Sequence, residues 1–116
     1  MTSSENNPNA PQPRGRPRVS VDYPAVVTSE GRIAQGIVMN LTITGCEVGS
    51  PGRFPIGADV SLRLNPPGAR PPITIALAIV RWQHSDRFGL EFIRFEGNAK
   101  VQLEDMLNQR ENSSVD

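Results

Sequence analysis

Turn chemistry recurs so often along this chain that no long element has room to form between Val19 and Phe95. Ser29-Glu30-Gly31, Gly49-Ser50-Pro51-Gly52, Asn65-Pro66-Pro67-Gly68 and His84-Ser85-Asp86 each interrupt it. Gly accepts positive φ, Pro fixes φ and removes a donor, and Asn, Asp and Ser bond their own backbone. Between these breaks apolar and polar residues alternate. Val19, Val21 and Tyr23 form one such set, Val60, Leu62 and Leu64 another, and Ile33, Ile37, Met39 and Leu41 a third if Gln35 is taken as an interruption. A period of two marks half-buried strands. The run from Ile73 to Trp82 puts Ile73, Ile75, Leu77 and Ile79 on one face and Thr74, Ala76, Ala78 and Val80 on the other, so both faces can be covered and the run reads as the central strand. Phe88 to Phe95 follows, and roughly six strands result.

After Gly97 the period changes. Ala99, Leu103, Met106 and Leu107 fall on one helical stripe. Short strands with Gly/Pro turns in 116 residues point to an all-β fold, a six-stranded antiparallel barrel closed or nearly closed to remove its edges, with one C-terminal α-helix covering it. One domain is all that such a length supports. Residues 1–13 hold Pro8, Pro11 and Pro13 among Ser and Asn, with too little apolar surface to offset ordering entropy. They read as a disordered arm, residues 14–109 as the domain, and the polar stretch 110–116 as a frayed tail.

Twelve Lys and Arg balance twelve Asp and Glu, so net charge gives no reason to expect a nucleic-acid polymer as partner. Six aromatics, of which Phe92 reads as internal, are also few for a stacking platform. Cys46 is the single cysteine. It excludes an intramolecular disulfide and a cysteine-only zinc site, and favours a reducing compartment. The N-terminal stretch lacks the apolar run of a secretory signal, and no segment is apolar enough to insert in a membrane. The expected location is the cytoplasm.

Charge is concentrated at one place. Arg14, Arg16 and Arg18 fall within five residues where the arm meets the first strand. In an extended chain alternate side chains point the same way, and Pro17 biases Arg16 towards that conformation. The comb reaches about 13 Å. Guanidinium forks of this kind bind phosphate oxygens or the O6/N7 edge of guanine with paired hydrogen bonds. A solvated basic flank is the plainer reading of the same residues. A second half for a site is offered by Asn40 and Thr42, two apart and so on one face of a strand, opposite Leu41 and Ile43, with Gly45 permitting a turn or a close approach.

Arg14-x-x-x-Arg18 followed by Asn40-x-Thr42-x-x-Gly45 resembles the PilZ domain family, whose pattern is RxxxR and then D/N-x-S-x-x-G. Val80-Arg81-Trp82 and Phe88-Gly89-Leu90-Glu91-Phe92 also resemble its paired closing strands, so the likeness spans residues 14–108. The resemblance implies a PilZ-type six-stranded barrel acting as a bacterial receptor for cyclic di-GMP. It further implies that Arg14 and Arg18, with Arg16 between them, clamp the ligand's phosphates and guanine edges. Asn40 and Thr42 would bond the other guanine surface, Gly45 would leave room for the base, and Trp82 would stand near the ligand or else pack on the barrel. Thr42 stands where the pattern has serine, keeping the hydroxyl but adding a methyl and a stiff χ1. The implied mechanism has ligand binding order the arginine hinge against the barrel, changing a surface that a downstream protein partner reads. The alternative is a PilZ-fold protein–protein adaptor that binds no nucleotide.

No catalytic or metal-binding set is expected. Adjacent His84, Ser85 and Asp86 in a turn cannot form a nucleophile–base–orienter chain. The lone histidine has no partner at metal spacing. Glu104 and Asp105 read as a solvated helix face, and Cys46 as a small packed hydrophobe. No cofactor is implied beyond the nucleotide ligand itself.

Overall fold

The computed structural model describes residues 19–68 and 70–115. The proposed arm and the arginines at 14, 16 and 18 therefore lie outside the described residues. Six strands, β1 (Val19–Ser29), β2 (Arg32–Leu41), β3 (Gly45–Gly49), β4 (Asp59–Leu64), β5 (Ile73–His84) and β6 (Arg87–Phe95), precede one helix, α1 (Ala99–Val115). They form the closed antiparallel barrel that the short, turn-separated strands predict, in the order β1-β2-β3-β6-β5-β4. Closure runs through β1, which pairs with β2 from Val19↔Leu41 to Ser29↔Arg32 and with β4 from Ala25↔Leu64 to Thr28↔Ser61. Glu30 (φ 31) and Gly31 (φ 78) make the two-residue turn between β1 and β2, the left-handed geometry that matches strand twist in hairpins.

The interior is filled from every strand. Val27, Val38, Val48, Leu62, Val80 and Phe88 are wholly buried, and Phe54 meets Phe88 edge-on with ring centroids 5.5 Å apart. The stripe predicted for the helix holds, since Ala99, Leu103, Met106 and Leu107 are all buried, with α1 lying against β5 and β1. Gly97 (φ 57) turns the chain into it, and Asn98 accepts the first helical bond from the Gln102 N–H. Val60, Leu62 and Leu64 face inward as alternation requires.

Two strands depart from the simple alternation. In β2 the core face is Ala34 and Val38, while Ile33 is 72% and Ile37 41% exposed, the reverse of the expected phase. Small residues face inward here because the chain after β3 packs against them. A Cβ on Gly36 would stand 2.6 Å from the Gly49 carbonyl oxygen, and one on Gly52 2.6 Å from the Ala34 Cβ. Ser50 ties that chain down, donating to the Gln35 carbonyl at 2.7 Å and accepting from the Gly52 N–H. A bulge between Val38 and Asn40 then restores Leu41 to the core. In β5, Ile73 and Ile75 face the core, but an irregularity at Leu77 flips the phase and Ala78 and Val80 take their place. One extra residue moves every later side chain to the other face.

Leu41→Ala should therefore lower unfolding stability by about 2–5 kcal/mol, whereas Ile33→Ala should change it by no more than about 0.5 kcal/mol. Urea denaturation of the two variants checks this, and equal losses would contradict the assigned phase.

Candidate functional site

β2 ends at Leu41, so Thr42 does not continue the strand face of Asn40, as its spacing suggested; it opens the turn into β3. The reason is its hydroxyl. Thr42 Oγ1 accepts from the Thr44 N–H and the Gly45 N–H, both at 3.1 Å, and drags the backbone out of the ladder. The Thr42 N–H closes the turn on the Gly45 carbonyl at 2.9 Å. Both hydroxyl lone pairs are thus engaged, and the Thr42 oxygen lies 3.2 Å from both Thr44 Oγ1 and the Gly45 carbonyl oxygen, either of which can take its proton. Gly45 is required by the barrel itself, since a Cβ there would sit 2.4 Å from the Leu90 carbonyl oxygen of β6.

Register carries the site from Asn40 across four strands. Asn40 pairs with Glu47, Glu47 with Gly89, and Gly89 with Trp82. Directly paired residues share a face. Their neighbours Val48, Phe88 and Leu90 are buried, so the row Asn40–Glu47–Gly89–Trp82 lies on the outside of the barrel. At about 4.8 Å per strand its ends are about 14 Å apart along the surface. Trp82 is 41% exposed and lies directly over Gly89, where a Cβ would stand 2.0 Å from the indole Nε1. It therefore packs on the outer wall while keeping part of its ring accessible.

Glu47 of this row, and Arg87 diagonal to it on β6, escaped the sequence. Glu47 Oε1 accepts from Asn40 Nδ2 at 2.8 Å, and Glu47 Oε2 accepts from Arg87 Nη1 at 3.2 Å. Their signal was a carboxylate and a guanidinium at diagonal positions of β3 and β6, readable only once the register is known. Arg81 and Glu91 form a second outer ion pair, at 2.6 Å. Cys46 packs against the core as a small hydrophobe; burial first, and the Glu47 charge second, push its thiol well above the ordinary range. Among the described residues no cluster of three His, Cys, Asp or Glu could hold a metal ion, and no helix is long and apolar enough to cross a membrane.

The sequence profile of the PilZ domain matches residues 12–109. The chain belongs to the PilZ domain family. No curated protein matches it. Among solved structures, the PilZ fold is shared with the inhibitor of motility MotI/DgrA of Bacillus subtilis at a TM-score of 0.73 and 18% identity, covering 88% of this chain. This chain spans only 53% of that protein. The PilZ domain of CeSA from a cellulose-synthesizing bacterium matches at 0.61 and 15% identity, covering 81% of this chain and 97% of its own. The PilZ domain of YcgR from Escherichia coli, solved with cyclic di-GMP, matches at 0.67 and 13% identity, covering 89% of this chain and 95% of its own. At these identities the likeness is one of fold.

Within this PilZ domain the turn bonds predict a clear ordering of variants. Thr42→Ser should keep the wild-type stability within about 0.5 kcal/mol, because the oxygen stays. Thr42→Val should cost about 1 kcal/mol through two unpaired N–H groups. Thermal melts of the pair test this, and a Thr42→Val protein as stable as wild type would refute the role of the hydroxyl.

Proposed function

We propose that this PilZ domain is a cytoplasmic receptor module for cyclic di-GMP, with Arg14, Arg16 and Arg18 on one side of the ligand and Asn40, Thr42, Gly45 and Trp82 on the other. The observation that carries this reading is a register. Val19 pairs with Leu41, so the described chain begins beside the residue that precedes Thr42. Arg18 is one peptide bond before Val19, which sets its Cα about 3.8 Å from that point. This register supports the reading that the two halves of the motif, distant in sequence, come together at one end of the β1–β2 pair.

The chemistry of the two halves is complementary. Guanidinium groups supply charge and paired donors for phosphate and the O6/N7 edge, while Asn40 offers an amide at the barrel wall. Thr42, with both lone pairs taken by its own turn, has no acceptor left for a ligand and chiefly shapes the loop. Ligand contact would order the arginine segment against the barrel. Fixing five residues costs roughly 5–10 kcal/mol, which several charge-assisted contacts at about 1–3 kcal/mol each, together with stacking, can offset. The output is then a changed surface read by a downstream protein partner, and the module is a receptor rather than a catalyst.

One observation favours the second reading, a PilZ-fold protein–protein adaptor without nucleotide. Gly45 and the Thr42 hydroxyl are each accounted for by the barrel and its turn, with no ligand needed.

Calorimetric titration with cyclic di-GMP separates the two. The receptor reading expects binding by the wild type, weakened at least about tenfold, or 1.4 kcal/mol, in Arg18→Ala. No heat with the wild type would favour the adaptor, and equal affinity in both proteins would refute the role given to Arg18.

A further inference from the structure

We propose that Glu47, steadied by Arg87, is a positioning residue that fixes which end of the Asn40 amide faces a ligand; this rests on the receptor reading above. An ionised carboxylate only accepts hydrogen bonds. The 2.8 Å contact with Glu47 Oε1 therefore has to come from Asn40 Nδ2, which turns Asn40 Oδ1 away from Glu47. The orientation of this amide is dictated by its neighbour's chemistry, not by a choice between two equivalent fits.

Three features make Glu47 suited to the task. It is the direct cross-strand partner of Asn40, on the same outer face. Its side chain is only 19% exposed, against 57% for Arg87, so it is shielded from the solvent that would otherwise compete for its oxygens. Arg87 occupies the second carboxylate oxygen from β6, so the carboxylate is held from two strands while Asn40 is held from a third. A chain of three side chains across β2, β3 and β6 thus sets one amide. The amide then presents an acceptor, Oδ1, and one remaining N–H. Guanine carries an N2–H₂ donor that adenine lacks, so a fixed acceptor at this position favours a guanine ligand.

The test is a double-mutant cycle read by calorimetry with cyclic di-GMP, on proteins whose stability has been checked by denaturant melts. Glu47→Ala should weaken binding about five- to tenfold in the wild-type background and less than about twofold in an Asn40→Ala background, because the effect passes through that amide. Glu47→Gln removes the same charge but keeps an acceptor oxygen for Asn40 Nδ2, and should bind at least as tightly as wild type. Arg87→Ala should lose about two- to threefold, as an exposed ion pair does. Wild type that binds while Glu47→Ala loses equally in both backgrounds, or loses nothing, overturns the positioning role alone. Wild type that does not bind overturns the receptor reading and this inference with it.

Discussion

Closure of the barrel through β1 is the constraint on which the rest of the structure depends. Because β1 bonds to β2 on one side and to β4 on the other, the sheet has no free edge along Ala25–Thr28, and the stagger of every strand is tied to that of its neighbours. A closed cylinder of six strands leaves space inside for side chains alone. The apolar interior and the α1 stripe fill it, and anything that recognises a ligand has to sit on the outer wall or at a rim. The described motif residues obey this: Asn40 and Trp82 lie on the wall, and the Thr42–Gly45 turn lies where β2 and β3 meet.

Closure also explains why irregularities matter more here than propensities. Register shifts at Ser20/Tyr23, Val38/Asn40, Val60/Leu62 and along β5 let strands bend around a small circumference. The shift at Val38/Asn40 sets the surroundings of Asn40 directly. It returns Leu41 to the core while Asn40 faces outward beside Glu47. The shift between Val80 and Trp82 brings Trp82 opposite Gly89, and the absent side chain there lets the indole lie against the wall. Gly45 does the corresponding work one row along, where β6 comes too close for a Cβ.

Much of this was legible in the sequence where a single period ran without interruption. Leu62 and its neighbours in β4, and the Ala99–Leu107 stripe, read correctly because size and period agree, and the irregularity beside Val60/Leu62 puts its extra residue in β5. β2 misled because Ile33 and Ile37 are bulky and apolar, yet Ala34 and Gly36 face a chain segment held by Ser50 that leaves no room for more. β5 misled because one irregularity at Leu77 reverses its faces. The motif residues were found by their order along the chain. The Glu47–Arg87 pair was not, since only register brings Glu47 beside Asn40 and Arg87 within reach of Glu47. Thr42 shows the same limit at the local scale: its spacing from Asn40 fits a strand, but its hydroxyl captures two backbone donors and ends one.

The central claim is that the arginine segment and the β2–β3 turn act together as one nucleotide site. Backbone amide NMR spectra of the intact chain with and without cyclic di-GMP test it most directly. The account predicts saturable shifts concentrated at residues 14–18 and 40–45, with the amides of α1 unmoved. Shifts confined to a different face, or saturation that leaves residues 14–18 unaffected, would contradict it.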